Sequence, residues 1–369
     1  MTKSISARRL AIGAILTAAA LVVTGCSQAS TNGSQSAVSN DAEIRAQINN
    51  VSDLQDPHTI TGVTDVPDFG APTPVADNPV SQLPVELTDA DGYDVTVTDT
   101  SRILALDLYG AYTKTLIGLG MKDKIVGRTV SSTEAELADL PLVTAGGHTL
   151  NVEAVLQLAP TLVIVDHSIG PREAIDQIRD AGVTVVVMEP TRTIDGVSED
   201  IENVAGVVGL PEEGKILAER SVKDIDLDKE AIQKLVPENP LRIAFLYARG
   251  NGGVFFILGP ESGTSELIEG VGGIDVAKEN GIKDMTPANA EALAKVNPDV
   301  FIMMRKGLAS TGGVEGLLQR PGVAQTVAGQ NQRIITIDDG ASLAYGPQTG
   351  ELLLRTAQAL YAPEQLEQS

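Results

Sequence analysis

The sequence predicts an α/β protein of two related lobes joined by a single long α-helix, with a ligand cleft between the lobes. Three observations carry that expectation. Short β-rich apolar runs alternate with amphipathic segments of helical length, the pattern of parallel βαβ units. The second half of the chain repeats a motif of the first. Between the halves lies a long segment with no interior proline, bounded by Pro211 and Pro237, that suits one continuous helix.

The first lobe opens with "VELTDADGYDVTVTDT", two β-rich runs around Asp91-Gly92, which reads as a hairpin. Strands are expected at 102–106, 161–166 and 183–189, and helices at 109–119, 151–159, 172–181 and 195–207. The second lobe has strands at 242–247, 299–304 and 333–338, and helices at 263–271, 287–296, 312–319 and 348–360. "NVEAVLQLAPTLVIV" at 151–165 and "NAEALAKVNPDVFIM" at 289–303 share Asn, Glu, Ala and Pro at equal offsets. "RILAL" and "RIAFL" open the two halves 140 residues apart, close to the 138 between the matched motifs. Two Rossmann-like lobes related by duplication follow, divided as 85–210, a connecting helix at 211–239, and 240–369.

Upstream of the body, Lys3, Arg8 and Arg9 precede an apolar run of 14 residues, Leu10–Val23. That is shorter than the roughly 20 residues of a membrane span, so residues 1–25 read as an export signal peptide. Val23-Thr24-Gly25-Cys26 resembles a lipobox, and Cys26 is the sole cysteine, so no intramolecular disulfide competes for it. Cys26 is therefore the expected lipidation site, anchoring the chain to the outer face of the cell membrane. Residues 26–84, rich in Ser, Thr, Asn, Asp and Pro, are expected to form a flexible tether with room for one short helix near "AEIRAQI".

Composition narrows the partners. The 369 residues include 49 acidic and 27 basic, a net charge of −22 that excludes a nucleic-acid partner. No G-x-S-x-G or H-E-x-x-H motif occurs, and nothing else marks an enzyme. Duplicated α/β lobes also argue against an adhesin.

Ligands of parallel α/β sheets collect at the carboxyl ends of the strands. The side chains expected there are Asp107, Tyr109, Asp166, His167, Tyr247, Arg249, Arg305 and Lys306. His148 sits in "TAGGHTLN" behind two glycines that let a bulky flat ligand approach the backbone. With His58 in the tether, two histidines are too few for a typical zinc or manganese site, whereas a haem needs only one or two axial ligands. Tyr247 and Arg249, two apart, face one side if the strand persists. A guanidinium beside a phenol oxygen favours the ionised form that ferric iron also favours. On residues alone, a structural tyrosine beside an unrelated surface arginine fits as well, and so does a loop His148 bonded only to backbone.

From about Val85 to Pro363 the chain resembles the bilobal, helix-linked binding proteins for siderophores, haem and cobalamin. The resemblance is carried by the "DADGYDVTV" hairpin, the two N-x-E-A…P motifs, the connecting helix and "YGPQTGELLLRTAQALY". Within that family it is most similar to the haem lipoproteins of actinobacterial ABC importers. The resemblance implies ferric haem as transported ligand, with His148 and Tyr247 as axial ligands and Arg249 tuning Tyr247. It also implies an ABC permease as partner, with Glu153 and Glu291 as docking residues, and upstream surface proteins as haem donors. Arg305, Lys306 and Arg172 are the expected propionate contacts. A ferric siderophore is the alternative cargo on the same fold.

Overall fold

A computed structural model describes residues 41–51, 54–250 and 253–365. The expected signal peptide at 1–25 and the lipidation site Cys26 lie outside the described residues. No described helix is long and apolar enough to cross a membrane.

The described chain begins with α1 (Asp41–Asn50), β1 (Val63–Asp65) and a hairpin of β2 (Val85–Thr88) and β3 (Asp94–Val97). The first lobe follows as β4 (Ile103–Leu106), α2 (Ala111–Gly118), a small hairpin of β5 (Thr144–Ala145) and β6 (Thr149–Leu150), α3 (Val152–Gln157), β7 (Leu162–Val165), α4 (Arg172–Asp180), β8 (Thr184–Val187) and α5 (Val197–Val207). After α6 (Pro211–Ile232) the second lobe runs β9 (Arg242–Arg249), β10 (Val254–Leu258), α7 (Thr264–Gly270), β11 (Ile274–Asp275), α8 (Val276–Glu279), β12 (Met285–Pro287) and α9 (Ala290–Val296). It closes with β13 (Val300–Met304), α10 (Arg305–Ser310), α11 (Gly313–Leu318), α12 (Val327–Gln330), β14 (Ile334–Ile337) and α13 (Thr349–Tyr361).

The two lobes share a parallel core of the same order. In the first it is β4-β7-β8, in the second β9-β13-β14. The register matches as well: Ile103 lies opposite Leu162, and Ile243 opposite Val300. The repeated asparagines do one job in both lobes. Asn151 caps α3 by accepting from the Ala154 N–H, and Asn289 caps α9 by accepting from Ala292 N–H.

Alternation along the strands assigns the faces. Ile103, Ile164, Ile243, Phe245 and Ile302 point into one apolar cluster that runs through both lobes and includes Leu217 of α6 and Leu353 of α13. Leu104, Leu106 and Val163 face a separate first-lobe cluster with α4. Ala244, Leu246 and Phe301 face a second-lobe cluster with α9 and α11. The shared cluster, with α6 packed between α5 and α13, ties the lobes together.

The structure differs from the sequence reading at three points. The connecting helix stops at Ile232 instead of filling 211–239, and the chain turns over 233–235 with Leu235 buried in the core. The run at 254–258, unassigned in the sequence, is the antiparallel strand β10; it pairs with β9 out to Arg249 opposite Val254 and so keeps β9 extended for eight residues. Residues 41–51 and 54–84, expected in the flexible tether, are packed on the body. The short helix near "AEIRAQI" forms as α1, held to α6 by Arg45 Nη1 on Asp228 Oδ1 at 2.5 Å. β1 then adds in parallel to β14 and covers what would be an open sheet edge. Ile44, Ile48 and Val66 supply buried apolar area that the polar composition of this stretch conceals.

Candidate ligand-binding cleft

The second-lobe wall is built on β9. Because β10 prolongs this strand, Tyr247 and Arg249 do face one side, as expected, on the face of Ile243 and Phe245. The Arg249 guanidinium makes no hydrogen bond to the phenol oxygen. It lies over the Tyr247 ring, 4.6 Å from the centroid, and its Nη2 donates to Asp339 Oδ1 at 3.0 Å. The other Asp339 oxygen accepts from the Lys306 N–H at 2.9 Å. The half-buried Tyr247 ring is thus covered on one face by a pinned cation.

The first-lobe wall starts from the equivalent strand. In the duplicated register Asp107, just past β4, takes the place of Tyr247, and Tyr109 that of Arg249. Asp107 Oδ2 accepts from the backbone N–H groups of Tyr109 and Ala111 at 3.2 and 3.0 Å, fixing the turn into α2, while its buried Oδ1 has no partner. Asp166, just past β7, accepts from the Tyr112 hydroxyl at 2.8 Å and from Arg192 Nη2 at 2.7 Å. Arg192 lies over the Tyr109 ring, 4.9 Å from the centroid. These side chains line a cavity closed from the second lobe by Leu343, Tyr345 and Gly346. Nearby the lobes touch directly: Thr133 Oγ1 donates to Asp338 Oδ1 at 2.8 Å.

Burial, reinforced by the charge of Asp166, pushes the Asp107 carboxyl up from 3.8 to about 6. The folded chain therefore holds this proton more tightly than the unfolded chain does. Stability present below the unfolded value is lost as pH rises through about 6. Asp107→Asn keeps an oxygen for the two backbone donors and removes the charge. The variant is expected to be more stable than the parent by about 2 kcal/mol near pH ~8 and equal to it near pH ~4. Thermal melts at the two pH values check this, and a destabilised variant at the higher pH contradicts it.

His148 is exposed at the tip of the β5–β6 hairpin, behind Gly146 and Gly147, whose φ angles are +60° and +98°. Left-handed backbone explains the two glycines. The His148 carbonyl accepts from the Gly170 N–H, which holds the hairpin beside the loop that follows β7 and hence at the carboxyl ends of the strands. His167 is engaged elsewhere: its Nε2 bonds Asp91 Oδ1 at 2.9 Å, a bond that holds the Asp91 carboxyl below its ordinary range. His58 stands against Asp56 on the segment before β1.

The other basic residues are less available than the sequence suggested. Arg172 pairs with Asp91 at 3.2 Å. Arg305 Nη1 and Nη2 donate to Asp68 Oδ1 and the Val66 carbonyl, so this arginine clasps the segment after β1. Lys306 makes no ion pair among the described residues. Glu153 and Glu291 are both exposed, each in the first turn of its helix, where a carboxylate is favoured. Arg192 escaped the sequence reading, although the strand-end rule applied to β8 points straight at 190–193.

The sequence model for periplasmic binding proteins matches residues 107–341, more than half of the chain. The chain belongs to the periplasmic binding protein family. Members are substrate-binding proteins of transport systems and not enzymes. The crystal structure of the heme binding protein HmuT is 62% identical, covers 84% of this chain and all of its own, and superposes with a TM-score of 0.83. HmuT has also been solved with a single His, Tyr or Arg replaced by Ala. The periplasmic heme-binding protein RhuT from Roseiflexus sp. RS-1, in apo form, is 35% identical over 72% of this chain and 99% of its own, with a TM-score of 0.67. YvrC of Bacillus subtilis (strain 168), an uncharacterised ABC transporter substrate-binding lipoprotein, is 26% identical over 76% of this chain and 86% of its own.

Proposed function

We propose that this family member binds haem between its lobes and delivers it to the permease of an ABC importer. Ferric iron takes axial ligands from His148 in the first lobe and Tyr247 in the second, and Arg249 positions the Tyr247 ring. One observation carries the reading above the others. In HmuT the substituted His and Tyr lie 99 positions apart and the Arg two further on, the same spacing as His148, Tyr247 and Arg249. The placement of the His148 hairpin and of β9 at the carboxyl ends of strands in opposite lobes supports it, since an iron held by both side chains has to lie between the lobes.

Lipid anchoring through Cys26 places the protein on the outer face of the membrane, where haem arrives from surface acquisition proteins. Glu153 and Glu291, equivalent positions of the duplication, dock on the permease. Of the three expected propionate contacts, Lys306 remains the unencumbered one, while Arg305 and Arg172 hold carboxylates of the protein itself.

Titration of the purified chain with haemin and with ferric siderophores tests the cargo. A Soret band that saturates at one haem per chain, with no siderophore response, is the expected result. Siderophore binding without a Soret band would leave the family membership standing and remove haem.

A further inference from the structure

We propose that Arg192 is the first lobe's anchor for a ligand carboxylate, with the Tyr109 ring as the flat platform beneath it. This rests on the haem reading, since a porphyrin is a flat apolar plate that carries two carboxylates.

Arg192 is held in place by unusual backbone. Its φ of +52° is left-handed, a conformation that a non-glycine residue keeps only where neighbours enforce it. Asp200 of α5 is the enforcer. Its Oδ1 accepts from the Thr191 N–H at 3.0 Å, and its Oδ2 from the Arg192 N–H at 3.3 Å and the Thr191 hydroxyl at 3.1 Å. The side chain is fixed just as firmly, stacked 4.9 Å over the centre of the Tyr109 ring and bonded through Nη2 to Asp166. A strained loop, a ring and a buried acid thus converge on the aim of one guanidinium.

That guanidinium keeps capacity to spare. The Asp166 side chain is 3% exposed but that of Arg192 is 36% exposed, so one edge is anchored inside and the rest opens to the cavity between the lobes. Five N–H donors in a planar fork suit a carboxylate, which they can grip in two parallel bonds. The facing wall is Leu343 and Tyr345, buried apolar side chains, while the acids of the cavity, Asp107, Asp166 and Asp200, lie on the first-lobe side. Arg172, Arg305 and Arg249 also hold acids of the protein, Asp91, Asp68 and Asp339; Arg192 differs in being fixed by a left-handed backbone and a ring that set its aim into this cavity.

The test compares haemin with its dimethyl ester, which keeps the iron and the ring and lacks the carboxylates. Arg192→Ala is expected to weaken haemin binding about tenfold, the worth of one charge-assisted contact, and to change binding of the ester less than about twofold. The Soret maximum should stay in place, because the axial ligands are untouched. Arg192→Lys, which keeps the charge without the fork, should lose about threefold for haemin and carries the test if the alanine variant unfolds. Equal losses for haemin and ester, or no loss for haemin, overturn the role of Arg192 while leaving the haem reading intact. Wild-type protein that gives no Soret band with either probe overturns both.

Discussion

Tyr247→Ala is expected to weaken haem binding roughly a hundredfold or more and to shift the Soret band, since removing even a residue that supports a ligand costs about 10–100-fold in metal affinity. Tyr247→Phe should lose nearly as much. It keeps the ring under Arg249, opposite Phe256 of β10, so any loss belongs to the oxygen and not to packing. His148→Ala is expected to cost less, about tenfold, because His148 is exposed on a glycine-rich hairpin tip where water can take the vacated position. The order Tyr247 above His148 follows from rigidity: one ligand stands on an eight-residue strand inside a sheet, the other on two short strands. Spectral titration with ferric haem reads both quantities. Unchanged affinity and spectrum in Tyr247→Phe would remove the phenolate from the iron.

Much of this architecture was legible because duplication writes the same instruction twice. Asn151 and Asn289 recur with Pro160 and Pro298 at equal offsets, and each Asn caps its helix by the same bond. The wall carrying Tyr247 and Arg249 was legible too, since a strand-end aromatic two residues from a cation needs only the period of a strand. What stayed hidden depends on pairing across long sequence separations. β1 reads as three unremarkable residues, Val63–Asp65, and becomes a strand only because β14, some 270 residues on, leaves an edge to cover. The position of Arg249 over the ring was hidden for the same reason, because Asp339, ninety residues away, decides where its guanidinium goes. The partners of Arg305 and Arg172 were hidden too, because a basic residue near a strand end says nothing of the acid that holds it, here Asp68 and Asp91.

Arg333→Ala is expected to destabilise the protein by about 4 kcal/mol, the largest single loss anticipated outside the ligand site. Arg333 immediately precedes β14 and is 1% exposed, an extreme burial for a guanidinium, and burial alone pushes its pKa down to about 10. No carboxylate pairs with it among the described residues. Its compensation is geometric. Nη2 donates to the carbonyls of Ala359 and Leu360 at 2.6 and 3.0 Å, in the last turn of α13, where the helix presents unpaired oxygens and negative dipole density. Nη1 donates to Thr64 Oγ1 on β1 at 2.8 Å. One side chain therefore joins the sheet edge, the closing helix and the segment before the first lobe. Alanine leaves two helix carbonyls without a buried donor and a cavity where the guanidinium lay. Methionine fills that space but restores no donor, so Arg333→Met should recover the cavity part of the loss and remain about 2 kcal/mol below the parent. If instead the methionine variant matches or exceeds the parent in chemical denaturation, the desolvation of the cation outweighs its three bonds, and the docking of β1 rests on the parallel ladder with β14, on Val66 and on the Arg305 clasp.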